Sequence, residues 1–498
     1  MEHLAIRTLG ALKKSGYQPK SLKEELRGNL LRALQEKREV FHGILGYEHT
    51  VIPDLERAIL SGHQINLLGL RGQAKTRLAR MMTRLLDEWV PVLEGSELNE
   101  DPMHPLLDES RKRIEEHGDA TPIVWMHRNE RYVEKLATPD VSVADLIGDV
   151  DPIKASNLKI PYSDPRAIHF GLVPRSHRCI FVINELPDLQ PRIQVALFNI
   201  LQEGDVQIRG FKLRMPLDIQ FVFTANPEDY TNRGSIVTPL KDRIGSQILT
   251  HYPKNIETSM AITRQEAKLS ASQEANVKVP ELLALLMESI AFQARQSEFV
   301  DQKSGVSARL SISVFENVVS AAERRMCIAG DVNTTLRISD LYAAIPAING
   351  KIEMVYEGEQ EGPYNVAVSL IIQSIKSVFG TYCPLEGKAR KGDKKPLDPF
   401  REVVRWFGDG SLLELPYELS EKEYSAKLEQ VPGLRDLAEK FFPGAAGEKA
   451  LPAMELILHG LASISRLSRT QTDGSLQFAD LIGSMLGSRH SGDESENT

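Results

Sequence analysis

The stretch Gly69-Leu-Arg-Gly-Gln-Ala-Lys-Thr76 constrains this chain more than any other. A short apolar run, "QINLLGL", leads into it, and "RLARMMTRLLDEWV", with apolar residues at helical spacing, follows. Strand, glycine loop and helix in that order match the phosphate-loop pattern G-x-x-x-x-G-K-[ST]. The chemistry explains the pattern. Glycines such as Gly69 and Gly72 let backbone N–H groups curl around phosphates, and a helix that starts at the loop directs its positive end at them. Lys75 is placed to reach the β- and γ-phosphates, and Thr76 to ligate Mg²⁺. Ala74 stands where the pattern has its second glycine. Its methyl group is tolerable if residue 74 keeps helical φ/ψ, which is the expectation here.

Four further signals follow downstream. In "CIFVINELPDL" an apolar run ends in Asn184-Glu185, as a buried parallel strand delivering polar groups to its C-terminal edge does. Phosphate-loop ATPases carry an acid at the first of these positions to hold Mg²⁺ and a general base at the second. Glu185 keeps the base. Asn184 keeps the shape and one acceptor oxygen but drops a negative charge, for an expected loss of roughly 10–100-fold in metal affinity or activity. "FVFTANPED" ends a strand in Asn226, an amide able to orient an attacking water. "TPLKDRIGSQI" carries Arg243, able to act on a neighbouring subunit's nucleotide, and "SGVSARLSIS" carries Arg309 at a helix start, able to touch a γ-phosphate within its own chain. Singly these four are common features of unrelated proteins. Together they occur once each, in this order, between Gly69 and Arg309.

Strands alternating with helices imply an α/β fold with a mostly parallel sheet between helices. We read strands at 64–70, 121–128, 179–184 and 219–226, a helix over 21–44 and another at 77–90. Residues 92–120 read as a loop-rich insertion, and "DVQIRGFKLRMPLD" (205–218) as a β-hairpin. From about 257 to 380 the pattern is helical.

The bulk numbers exclude several classes. A 498-residue chain that is 42% hydrophobic and 26% charged is ordinary for a globular protein of several domains. A net charge of −8 argues against general nucleic-acid binding. Three well-separated cysteines suggest neither a disulfide framework nor a zinc site. No apolar run approaches membrane-spanning length, and the first residues lack a signal-peptide core, so a cytoplasmic protein is expected.

On these motifs the region from about residue 45 to 350 resembles the AAA+ ATPases, in particular the clade with an insertion in helix 2 that includes MoxR-type ATPases and the ATPase (I) subunit of magnesium chelatase. "GYEHTVIPDLERAILSGHQINLLGLRGQAKTRLAR" looks like the MoxR opening, where an alanine before the loop lysine is usual. "DLIGDVDPIKA" and "GLVPRSHRCIFVINELPDLQPRIQVALFNILQEGDVQIRG" resemble the helix-2 insertion, the Walker B strand and the helix after it. The resemblance implies a phosphate-loop α/β core with a helical lid and a mostly helical C-terminal region. ATP and Mg²⁺ are the implied cofactors. Gly69, Gly72, Ala74, Lys75 and Thr76 form the Walker A loop, and Asn184 and Glu185 Walker B. Asn226 becomes sensor 1, Arg243 the arginine finger and Arg309 sensor 2; Thr76 and Asn184 sit on the metal side. Asn184 departs from the family, which has Asp there.

The expected organisation is an N-terminal helical segment (1–44), the nucleotide-binding core (45–252), a helical lid (253–383), a linker (384–399), a C-terminal region (400–485) and a tail (486–498). The resemblance also implies a homo-oligomeric ring that uses ATP hydrolysis to remodel or activate a partner, with the insertion (about 152–175) and the hairpin facing it. The chain has no DxSxS motif of its own, so a von Willebrand A domain partner would be a separate protein. Three other readings stay open: a magnesium chelatase I subunit, a sigma-54-type activator, which the absence of a GAFTGA insertion disfavours, and a weakly hydrolysing nucleotide-gated scaffold.

Overall fold

The computed structural model describes residues 2–206, 208, 211, 215–227, 235–384, 398–442, 444, 450–472 and 474–481. The chain divides between Tyr252 and Pro253 into two compact units.

Five parallel strands form the sheet of the first unit: β1 (Ile65–Leu68), β2 (Tyr132–Leu136), β3 (Cys179–Asn184), β4 (Ile219–Ala225) and β5 (Ser246–Leu249). Their order is β5-β1-β4-β3-β2, and every adjacent pair is parallel. Strands β3 and β4 are buried at every position, which is why they read as unbroken apolar runs. Alternation then splits them between two layers. Ile180, Val182 and Val222 pack with Leu26, Leu30, Leu55 and Leu78 on one side of the sheet. Phe181, Ile183, Phe221 and Phe223 pack with Val173, Leu186, Ile193 and Leu197 on the other. Burying each of these phenylalanines stabilises the layer by about 1.5–3 kcal/mol.

The helix Leu22–Gln35 starts at Ser21, whose side chain and that of Glu24 form a reciprocal capping box. Its apolar face carries Leu22, Leu26, Leu30 and Ala33 at helical spacing. Glu25 lies on that face too, and its carboxylate accepts two 2.7 Å hydrogen bonds from the Arg131 guanidinium, both residues being buried. Arg131 Nε donates to the Arg178 carbonyl at 2.9 Å. Since Arg131 immediately precedes β2, this bidentate pair ties the edge strand to the helical layer.

Several sequence expectations are corrected. The run 121–128 does not enter the parallel sheet: Ile123–His127 pairs antiparallel with Trp89–Leu93 in a separate ribbon. Its expected place is taken by β2, a Tyr-Val-Glu-Lys-Leu run whose charged pair Glu134-Lys135 suits the edge of a sheet. The helix expected over 77–90 ends at Met81, passes through a 3-10 turn to Leu85, and gives way to the strand at Trp89. The helix over 21–44 stops at Gln35, and the insertion 92–120 holds the helix Asp108–His117. The hairpin's arms, Asp205–Val206 and Met215–Pro216, pair antiparallel as expected; residues 207, 209, 210 and 212–214 of its tip lie outside the described residues. The insertion near 152–175 contains the helix Pro152–Leu158 between antiparallel strands Gly148–Val150 and Ile168–Phe170.

The second unit is built on the helices Glu281–Ala294, Arg309–Ala329, Pro363–Tyr382 and Leu451–Ser463, with a three-stranded antiparallel sheet of Leu413–Pro416, Ser475–Ala479 and Ser468–Gln471. One apolar core joins Leu286, Val314 and Leu370 to Phe400, Leu456 and Phe478, so the segments 253–383 and 400–485 share it. Gly460 makes this possible at one point: a Cβ there would lie 2.2 Å from the Phe379 ring. The linker at 384–399 falls outside the described residues except for 384, 398 and 399, and so does the whole tail at 486–498. Among the described residues no helix is long and apolar enough to cross a membrane.

Candidate nucleotide-binding site

The phosphate-type loop leaves the C-terminal end of β1, the second strand of the sheet, between β4 and the edge strand β5. Crevices at strand C-termini where the order switches direction are where open α/β sheets place ligands. Gly69 donates its N–H to the Ala225 carbonyl at 3.1 Å. It has no room for a side chain, since a Cβ would lie 2.0 Å from Thr250 Oγ1 and 2.2 Å from Gln73 Oε1. Those two atoms form a 2.6 Å hydrogen bond that Thr250 donates. The Tyr47 hydroxyl sits 3.0 Å from the Gln73 carbonyl and 2.7 Å from that of His251, and the Tyr252 hydroxyl donates to the Arg71 carbonyl at 2.9 Å. Side chains from outside the loop therefore hold its backbone in shape.

Gly72 has φ 73°, a conformation its residue type favours. Ala74 does not keep the helical φ/ψ expected of it: it adopts φ 56° and ψ 18°, in the left-handed region, immediately before the helix Lys75–Met81. An L-residue with a Cβ pays about 1–2 kcal/mol for that conformation. The loop geometry therefore overrides the preference of the residue that occupies it.

Lys75, Thr76, Asn184 and Asn226 are brought together. Lys75 Nζ donates to the carbonyls of Gly69 and Leu70, the latter at 2.9 Å, and to Asn226 Oδ1 at 2.7 Å. Thr76 Oγ1 donates to Asn184 Oδ1 at 3.3 Å. Asn184 ends β3 and Asn226 follows β4, so adjacent strands deliver both amides to the edge where the loop begins. Glu185, next to Asn184, is half-buried and takes φ 57°; its N–H donates to Thr224 Oγ1 at 3.1 Å. That left-handed step turns the chain sharply off β3 at the residue read as the base. Backbone strain of this kind costs about 1–3 kcal/mol and concentrates at functional positions.

Arg243 ends the helix Thr238–Arg243. Its guanidinium donates to Gln202 Oε1 at 2.6 and 3.0 Å and to the Pro239 carbonyl at 2.8 Å, and sits 5.1 Å from the Phe198 ring centre. Arg309 belongs to the second unit, where it opens the helix Arg309–Ala329 and its N–H donates to Ser307 Oγ at 3.1 Å.

Sequence reasoning missed two residues that organise the site. Thr224 Oγ1 donates to Asn184 Oδ1 at 3.1 Å. Glu134, on β2, accepts from Asn184 Nδ2 at 2.6 Å. What points to Glu134 is register: once β2 is paired with β3, Glu134 lies one step along the same face from Leu136, the residue opposite Asn184. The donor set suits Mg²⁺, a hard cation that favours oxygen ligands and keeps several waters: Thr76 Oγ1 and Asn184 Oδ1 are neighbouring neutral oxygens, with Thr224 Oγ1 beside them.

No protein-family model matches the chain. Similar solved structures include a putative ATPase from Cytophaga hutchinsonii, at 16% identity and a TM-score of 0.30 over 72% of this chain and 97% of that one. The complex of magnesium chelatase subunits BchI and BchD matches at 18% identity and a TM-score of 0.34, over 64% and 98% of the two chains. NtrX from Brucella abortus in complex with ATP matches at 12% identity and a TM-score of 0.34, over 62% and 54%. What stands on this chain's own residues is an α/β fold, a five-stranded parallel sheet between two apolar layers, with the loop around Lys75 at the C-terminal end of β1.

Proposed function

We propose that the chain is an AAA+ ATPase of the MoxR and magnesium-chelatase type, which binds and hydrolyses ATP within a homo-oligomeric ring and thereby remodels or activates a partner protein. The observation that carries this reading is the convergence of Lys75 and Thr76 from the loop with Asn184 and Asn226 from two adjacent strand ends. The loop backbone and Lys75 hold the β- and γ-phosphates, and Asn226 orients a water in line with the γ-phosphorus. Glu185 accepts a proton from that water as its oxygen bonds to phosphorus; the bond to the bridging oxygen breaks, and ADP and phosphate leave. Bound Mg²⁺ supplies charge neutralisation on the β- and γ-oxygens, and Thr76 and Asn184 are the residues that would hold it. The amide at 184 predicts slower turnover than a carboxylate would give.

Arg243 is assigned to the neighbouring subunit's nucleotide and Arg309 to its own chain's. A finger acting in trans requires a heterologous contact, which closes into a ring when the rotation allows. The insertion supports a partner surface: Ile153 is 72% exposed, Tyr162 64% and Leu158 50%, all on one short segment. A separate protein with a von Willebrand A domain fits this reading as the partner. Steady-state ATPase activity under Mg²⁺ titration tests it, with Lys75→Ala and Glu185→Gln as controls. Hydrolysis that both variants abolish supports the motor. ATP binding without turnover at any Mg²⁺ concentration refutes hydrolysis and leaves the nucleotide-gated scaffold.

A further inference from the structure

The amide of Asn184 has both ends assigned. Its Nδ2 donates to Glu134 Oε1 at 2.6 Å, and its Oδ1 accepts from Thr76 Oγ1 at 3.3 Å and Thr224 Oγ1 at 3.1 Å. An ionised carboxylate only accepts, so turning the amide over would set Oδ1 against a carboxylate oxygen at that same short separation. Glu134 thereby fixes which atom faces Thr76. The strand register makes the contact possible: Leu136 lies opposite Asn184 and Glu134 opposite Val182, so residues 134 and 184 emerge on the same face of adjacent parallel strands. Glu134 is itself held in place. Its Oε2 accepts from Arg80 Nη2 and from the Tyr132 hydroxyl, both at 3.0 Å, and the Arg80 guanidinium lies 5.8 Å from the Tyr132 ring centre.

We propose that Glu134 is a positioning residue for the divalent cation of the nucleotide site: from the neighbouring strand it holds the Asn184 amide with Oδ1 towards Thr76 and restores the negative charge that the amide lacks. The acid is in effect moved one strand over, with an amide interposed between it and Thr76. This rests on the reading of the site as an Mg²⁺–ATP site. It accounts for an asparagine at a position where a loose amide would present either its oxygen or its N–H₂ to a hydrated cation. The N–H₂ face would repel the cation, so orientation decides whether the residue helps or hinders.

The test measures binding rather than turnover. A fluorescent ATP analogue is titrated onto the full chain in EDTA and then at rising Mg²⁺, for wild type, Glu134→Ala, Asn184→Asp and the exchanged pair Glu134→Gln/Asn184→Asp. Glu134→Ala is expected to raise the Mg²⁺ concentration at half-effect by about 10–100-fold while leaving affinity in EDTA within about twofold. The exchanged pair again sets one carboxylate against one amide and is expected to return the half-effect to within about threefold of wild type. Asn184→Asp alone sets two carboxylates face to face and is expected not to tighten Mg²⁺. An unchanged Mg²⁺ half-effect in Glu134→Ala overturns the proposal. So does Asn184→Asp binding Mg²⁺ as tightly as the exchanged pair. Both of those outcomes leave the nucleotide reading intact; a wild-type chain that binds no analogue in any condition overturns both.

Discussion

Replacing Ala74 with glycine isolates the cost of the loop's shape. Ala74 sits at φ 56° and ψ 18°. An alanine spends about 1–2 kcal/mol in that region that a glycine does not. Glycine gives back about 0.5–1 kcal/mol through its greater freedom in the unfolded chain. The balance is a gain of roughly 1 kcal/mol, or about 2–4 °C in the melting temperature of a unit of this size. Urea unfolding followed by tryptophan fluorescence reads it, because Trp89 and Trp125 lie in the first unit and Trp406 in the second. The substitution adds no atoms and leaves the backbone N–H groups where they are, so ATP affinity is expected to stay within a few-fold of wild type. A loss of 0.5 kcal/mol or more, which glycine at an ordinary helical position brings, would show that residue 74 is not left-handed in solution and would refute the reasoning.

Arg131→Ala leaves the Glu25 carboxylate buried without its bidentate partner, and is expected to cost about 3–5 kcal/mol in the same unfolding assay. Gly69→Ala places a Cβ 2.0 Å from Thr250 Oγ1, and is expected to weaken ATP binding at least tenfold, read by calorimetric titration. The two units are expected to respond to acid in opposite directions. His177 accepts the Asp218 N–H at Nδ1, and burial, then the Arg178 charge, pushes its pKa from 6.5 down to about 3. Its contribution is complete above about pH 6.5 and is lost as pH falls towards 3, amounting to about 2 kcal/mol by pH 5. Burial pushes the Glu455 carboxyl from 4.5 up to about 7, so its contribution is complete below about pH 4.5 and about 3 kcal/mol is lost as pH rises through 7. Scanning calorimetry from pH 5 to 7 checks both, with His177→Gln and Glu455→Gln each expected to flatten the response of its own unit.

What the sequence made legible follows from where each element sits. Strands β1, β3 and β4 lie inside the sheet, and the apolar runs of β3 and β4, buried on both faces, mark them without reference to any neighbour. Their C-terminal ends carry Asn184 and Asn226, which the structure brings into contact with Thr76 and Lys75. Strand β2 lies at the edge, carries Glu134 and Lys135, and lost its place to the more apolar run at 123–127, which pairs elsewhere. With β2 misplaced, Glu134 was invisible as a contact of Asn184. The backbone of Ala74 was illegible for another reason: the sign of φ there is set by the closure of the loop around Gly69 and Gln73 and not by the alanine. In the second unit the long helices announce themselves by period. The strands Leu413–Pro416, Ser468–Gln471 and Ser475–Ala479 are too short and polar to stand out from a helical background.

The central claim is that the loop around Lys75 binds the phosphates of ATP. Equilibrium titration of ATP onto the full chain and onto Lys75→Ala, with and without Mg²⁺, tests it most directly. The account predicts saturable binding by the wild type, tightened by Mg²⁺, and a loss of at least tenfold in Lys75→Ala with the folded state retained. Equal affinity in the two proteins, or no binding by the wild type, would contradict it.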